Sequence, residues 1–263
     1  MNPGPTPAST STSTSTPTLA LIGGTGLTEL DENCAEIAIE TPYGAPSAPI
    51  REVTDTPIRT VFLPRHGSPH VLPPHRVNYR ANLWALREAG ARHVLAVSAV
   101  GGIARECRPG VLVAPDQLID YTWGREHTLS DSADDELVHV DFTYPYEGPL
   151  RDELLAAAEE QGIVLIDGGC IGVFQGPRLE TAAEIERARR DGCDMAGMTS
   201  LPEASLAREL GLDYAGIAVI SNFGAGITGE RLSEEDIAET LREPMERVRR
   251  LIRAVAGRLA ARA

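Results

Sequence analysis

The sequence predicts one α/β domain built around a central sheet. Three observations carry this reading. Apolar runs of strand length alternate with segments of helical spacing along nearly the whole chain. One run, HVLAVSAVGGI, is almost continuously apolar, as a strand covered on both faces must be. Several runs end in glycine-rich or polar loops, where sheets of this class hold their ligands. The chain has 263 residues, enough for a single large core, and it shows neither an internal repeat nor an interdomain linker.

Each element follows in turn. The opening stretch, MNPGPTPASTSTSTSTPT, holds Ser, Thr and Pro without apolar anchors, so residues 1–18 are expected to form a disordered tail and 19–263 the domain. It has no basic start and no apolar segment, and so does not make a signal peptide. LALIGGTGL and RTVFLPRHG read as strands running into turns. VNYRANLWALREAGA has helical spacing, and the glycine after Ala89 suits a helix C-terminus. HVLAVSAVGGI and GVLVAPDQLIDYT follow as strands, and residues 124–148 as a long acidic loop. Leu150 to Gln161 is helical. GGCIGVFQGPRLET is strand then loop, AAEIERARRDGC helix, DMAGMTSLPEASLARELG a loop feeding a helix, and DYAGIAVISNFGAG a strand with a glycine-rich end. Ser233 to Ala263 is helical, with a kink or restart expected at Pro244.

Composition excludes several functions. Acidic residues number 38 against 24 basic, a net charge of −14, which repels nucleic acid and anionic membranes. Any phosphate site must be local. All basic residues are Arg; without lysine there is no Schiff-base chemistry and no P-loop. The four cysteines, Cys34, Cys107, Cys170 and Cys193, form no CxxC pair, and the His residues no HExxH, so no metal site and no disulfide framework is expected. No window of about eighteen apolar residues marks a membrane span. Free thiols fit a reducing cytoplasm.

Several residues could carry chemistry. Gly23-Gly24-Thr25-Gly26 follows a strand; it can cradle an anion with backbone N–H groups, and it can equally be a tight turn. Arg65-His66 can fork onto an oxyanion and add a hydrogen bond, or be a surface pair. Ser98 and Thr199 are hydroxyls at strand ends, and such residues are also caps. Glu180 can accept from a heterocycle N–H, or favour the helix start that follows it. Asn222 closes a strand with an amide that both donates and accepts, as neighbouring purine ring atoms require, or it forms a turn before Gly224.

GGTGL, TPYGAPS, PRHG, HRVNYRANLWALREAG, SAVGGI, GPRLETAAE, GMTSLPE and SNFGAG occur in this order. The set resembles the trimeric purine nucleoside phosphorylases, most closely their 5'-methylthionucleoside branch, from about Leu19 to the C-terminal helix. The resemblance implies a single-domain nucleoside phosphorylase fold, with a central mixed twisted sheet flanked by helices. It implies phosphorolysis with inorganic phosphate as co-substrate and no further cofactor. By similarity Thr25, Arg65, His66, Ser98, Ala99 and Thr199 bind phosphate, and Met198 packs against the ribose. Asn222, Glu180 and His66 are the catalytic set, with Leu179, Phe223 and His70 near the nucleoside. Leu179 stands where methylthioadenosine enzymes place a stacking Phe, so stacking is expected to be shared with Phe223. A homotrimer is implied, and some members pair trimers into hexamers.

Two departures suggest the substrate. Methylthioadenosine enzymes carry Asp at the position of Asn222 and a second Asp two residues on; here these are Asn222 and Gly224. An amide donates to the edge of a 6-oxopurine, and Glu180 can accept from its N1–H. Ordinary 6-oxopurine enzymes have a late His near the 5'-hydroxyl, whereas this chain has no His after His139 and offers Ile227, Ile237 and Ala238. The expectation is cleavage of S-methyl-5'-thioinosine to hypoxanthine and 5-methylthioribose 1-phosphate. The alternatives are methylthioadenosine or inosine/guanosine as substrate, or an idle nucleotide-binding protein.

Overall fold

A computed structural model describes residues 18–28, 34–130, 137–229 and 233–263. The expected disordered tail lies outside the described residues but for Thr18, which opens the first strand. Among the described residues, eleven strands form one mixed sheet with five α-helices around it. The spine is β5 (Ala91–Gly102), whose Val94, Leu95, Ala96 and Val97 are buried. β1 (Thr18–Gly23) lies parallel on one side of it and β11 (Asp213–Phe223) parallel on the other. β1 pairs only as far as Ala96, and β10 (Met195–Gly197) takes up the same strand, antiparallel, at Gly101 and Gly102. The spine thus changes neighbours near its C-terminal end, and the two neighbours leave a cleft between them.

Outward from β1 the order is β4 (Thr60–Pro64), β3 (Ile50–Val53) and β2 (Ala35–Ile37); outward from β10 it is β9 (Cys170–Val173) and β7 (Gln117–Asp120). β6 (Leu112–Ala114) pairs with β11 and with β8 (Leu165–Asp167). The helices cover both faces. α2 (Pro149–Glu160) and α5 (Glu234–Arg262) pack on one through Leu150, Leu154, Leu241, Val248 and Val255. α1 (Tyr79–Glu88) and α4 (Ser200–Glu209) pack on the other through Leu83, Leu86, Leu206 and Ala207. α3 (Ala182–Arg190) sits over the β10 end with Ile185 and Ala188.

The glycine expected at the C-terminal end of α1 is there, and the N-termini of α1 and α3 are capped by side chains. Asn78 caps α1 by accepting from the Ala81 N–H, and Gly90 follows it at φ +94°. Thr181 and Glu184 form a capping box on α3.

Four expectations are corrected. GVLVAPDQLIDYT is two strands, β6 and β7, because Pro115 has no N–H to continue a ladder and the halves pair with different partners. The segment read as a loop before α4 contains β10. The short strands β2, β3 and β8 went unpredicted. α5 does not restart at Pro244; Leu241, Met245, Val248, Ile252 and Val255 keep one buried stripe across it. Among the described residues no helix is long and apolar enough to cross a membrane.

Candidate active site

The cleft beside β5 opens into a cavity of about 680 Å³. Thr25, Arg65, His66, Ser98, Ala99 and Thr199 line it, together with His70, Leu179, Glu180, Met198 and Asn222. Every residue proposed for chemistry thus faces one space, except Phe223, which lines a second cavity beside Arg105, Arg108 and Arg189. Of the three apolar residues expected at the sugar end, Ile237 and Ala238 line the first cavity, and Ile227 lines the second.

Arg65 follows β4 and is 1% exposed. Its Nε donates to both oxygens of Glu203, at 3.2 and 2.9 Å, and its Nη2 to Glu203 Oε1 at 2.7 Å. Its Nη1 donates to the Val97 carbonyl at 2.9 Å. Burial alone would lower the Arg65 pKa, but the Glu203 carboxylate more than offsets it and the net shift is upward. The guanidinium is therefore a fixed cation at the cavity wall. Gly24 makes room for it: a Cβ there would stand 2.7 Å from Arg65 Nη1.

His66 is 8% exposed, with its Nδ1 2.7 Å from the Leu72 carbonyl. A carbonyl only accepts, so Nδ1 carries the proton and Nε2 is left as an acceptor. Burial, reinforced by the Arg65 charge, holds its pKa down at about 4. His66 is thus neutral at neutral pH and accepts at Nε2, whereas the sequence suggested a donor. His70 stacks on it, ring centroids 4.4 Å apart. Across the cleft, Ser98 Oγ and Thr199 Oγ1 face each other at 3.4 Å. Thr199 stands at the N-cap of α4 yet makes no capping bond, so its hydroxyl is not spent on the helix.

At the other end, burial pushes the Glu180 carboxyl above the ordinary carboxylate range, and the Glu184 charge adds to this. The Asn222 amide is oriented: Ser221 Oγ donates to its Oδ1 at 2.7 Å, and its Nδ2 donates to the Phe223 carbonyl at 2.7 Å. One Nδ2 proton is used in this way, and the second remains for a ligand. Met198 is pressed by Gly176, where a Cβ would lie 2.5 Å from the Met198 sulfur. Among the described residues no group of three or more His, Cys, Asp or Glu could hold a metal ion.

Sequence reading missed Glu203. The signal was present: α4 buries Glu203, Leu206 and Ala207 on one face, and a carboxylate on an apolar stripe needs a cation. Arg125 was missed as well, inside a segment read only as acidic loop.

Comparison with known proteins agrees with this geometry. The pattern of the phosphorylase superfamily (PNP_UDP_1) matches residues 18–256. A protein of Xanthomonas campestris pv. campestris named as a probable S-methyl-5'-thioinosine phosphorylase is 55% identical over 211 residues, 79% of this chain and 84% of that protein. The 6-oxopurine nucleoside phosphorylase of Pyrococcus furiosus is 41% identical over 242 residues, 90% of this chain and 91% of that one. The structure of methylthioadenosine phosphorylase from Schistosoma mansoni in complex with adenine superposes with a TM-score of 0.86 at 32% identity, covering 93% of this chain and 92% of that one. The chain belongs to the phosphorylase superfamily.

Proposed function

We propose that the protein cleaves S-methyl-5'-thioinosine with inorganic phosphate, releasing hypoxanthine and 5-methylthioribose 1-phosphate. The observation that carries this reading is the oriented amide of Asn222, which lines the same cavity as Glu180 and has Gly224 two residues on where an adenine reader would have a carboxylate. The names of the relatives support it: the Xanthomonas protein is named for this substrate, and the Pyrococcus protein for 6-oxopurines.

Phosphate sits against Arg65, with Thr25, Ser98, Thr199 and the Ala99 backbone around it. His66 accepts the P–OH hydrogen bond at Nε2, so the remaining oxygens keep their charge toward Arg65 and the sugar. An oxygen of phosphate attacks C1' as the bond from C1' to N9 breaks, through an oxocarbenium-like transition state, with Met198 against the ribose. The bonding pair moves into the purine, whose ring nitrogen takes up a proton from solvent as hypoxanthine leaves, while the phosphate ester gives up its own proton to solvent. The free Nδ2 proton of Asn222 donates toward O6, and Glu180 accepts from N1–H. Preorganised donors facing developing charge are each worth about 3–4 kcal/mol in a dry site.

Val71, Leu72, Ile237 and Ala238 line the same cavity and suit a thioether better than a hydroxyl, for which none of the four carries a side-chain partner. This favours methylthioinosine over inosine, the second reading. The homotrimer, which rests on the family resemblance, and a cytoplasmic location, which rests on the free thiols, belong to the same proposal.

A panel of methylthioinosine, methylthioadenosine, inosine and adenosine, each with and without phosphate, tests it. Methylthioinosine is expected to give the highest kcat/KM, and only with phosphate. A preference for methylthioadenosine would overturn the base reading, and a preference for inosine the sugar reading.

A further inference from the structure

Arg125 lies in the loop after β7 and does not line the cavity. Its guanidinium nevertheless bonds both halves of the cavity wall. Nη1 donates to the carbonyls of Met198 and Leu201, each at 2.7 Å. Nη2 donates to the carbonyls of Gln175 at 2.8 Å and Phe174 at 3.2 Å, and Nε to the Gln175 side chain at 3.3 Å. One planar cation thus ties Phe174 and Gln175, which follow β9 and lead to Glu180, to the segment carrying Met198 and Thr199. Among the described residues no carboxylate forms an ion pair with Arg125. Its partners are carbonyls, with the Tyr79 hydroxyl at 3.5 Å.

That arrangement is unusual for a half-buried arginine. A structural arginine is ordinarily held by an acid, whereas here four backbone carbonyls of two separate segments converge on one side chain. The Met198 and Leu201 carbonyls can both reach it because Leu201 is extended, at φ −118° and ψ 139°, at the start of α4. A cation spread over carbonyls has one geometric effect: it fixes the distance between the segments that supply them. Here those segments carry Glu180 and Thr199, the carboxyl and the hydroxyl given to base and phosphate above.

We infer that Arg125 is a positioning residue that sets the spacing between the base end and the phosphate end of the cavity. Arg125→Ala releases all of the carbonyls. Arg125→Lys keeps the charge but offers at most three donors from one point, and cannot span both segments. What is measured rests on the nucleoside reading above; what Arg125 holds is given by its hydrogen bonds alone. The nucleoside panel on the unaltered protein tests the first, and the variants are then assayed on whichever nucleoside that protein cleaves best.

A misplacement of about 1 Å can cost roughly a hundredfold in rate. Arg125→Ala is expected to lose about a hundredfold in kcat/KM, with KM raised for phosphate and nucleoside together, and Arg125→Lys to show the same pattern more weakly. Added guanidinium ion is expected to restore part of the Arg125→Ala activity. If Arg125→Ala does not fold, the same measurements on Arg125→Lys decide. Unchanged kinetics, or a fall in kcat that only tracks the lost folded fraction while both KM values hold, would overturn the inference.

Discussion

Replacing Glu203 by Gln separates what the buried ion pair does for the fold from what it does for phosphate. Glu203 and Arg65 are each 1% exposed in their side chains and share three hydrogen bonds between 2.7 and 3.2 Å. Tyr214 adds a fourth bond to Glu203 Oε1 at 3.2 Å. A glutamine keeps one carbonyl oxygen, but its amide nitrogen meets Nε or Nη2 of Arg65 donor to donor. The guanidinium is then buried without a counter-charge. Removing one partner of such a pair costs about 3–5 kcal/mol, which in a chain of this size lowers Tm by roughly 10 °C. The KM for phosphate rises as well, because nothing aims the guanidinium at the cavity. The double variant Arg65→Met with Glu203→Leu removes both charges at similar volume, which is often close to neutral for stability. It is expected to recover most of the lost Tm and to have no phosphorolytic activity. Thermal unfolding and a phosphorolysis assay on the three proteins check this. A Glu203→Gln protein within about 1 kcal/mol of the parent, or a double variant that still cleaves nucleoside with phosphate, would refute the reasoning.

Two other outcomes are expected. Asn222→Asp should move the ratio of kcat/KM for methylthioinosine over methylthioadenosine toward the latter by tenfold or more, since one well-formed hydrogen bond at the base edge is worth roughly that factor; an unmoved ratio defeats the base reading. His66 should make stability fall in acid. Its pKa is held at about 4 in the fold against 6.5 unfolded, because burial and the Arg65 charge favour the neutral ring. The unfolded chain therefore binds more protons between those values, and stability is complete above pH 6.5 and lost as pH drops toward 4. The window is worth about 3 kcal/mol. Unfolding free energies from pH 7 to 4 on the parent and on His66→Gln measure it, and equal slopes in the two proteins would contradict the assignment.

Much of this molecule is legible in its sequence, for identifiable reasons. β1, β4, β5 and β11 are read because burial on both faces leaves apolar runs too long to mistake. β2, β8 and β10 are three residues each, too short for any periodicity to register, and form because a neighbouring strand offers each of them a ladder. The site is legible where polar side chains sit at the ends of the long strands: Thr25, Arg65, Ser98 and Asn222. It is illegible where function depends on direction. Nothing in PRHG says that the His66 proton is turned toward Leu72, which makes the ring an acceptor. Nothing in SNFGAG says that Phe223 turns away to the second cavity while Asn222 faces the first.

That last difference follows from the backbone. In a regular strand successive side chains alternate between faces. Ser221 and Asn222 both line the cavity, and there the pairing of β11 with β5 shifts register between Ile220 and Asn222, a bulge that re-aims the residue after it. The shift sets Asn222 opposite Gly101, where a Cβ would stand 3.3 Å from Asn222 Nδ2. It also sets Ser221 where its hydroxyl reaches the Asn222 oxygen. The donor end of the amide is thus chosen by three features together: the bulge, the hydroxyl at 221 and the missing side chain at 101. A side chain at 101 would crowd the amide nitrogen even with Asn222 intact, which is why SAVGGI and SNFGAG, separate in sequence, jointly set the amide to which the proposed function gives the base.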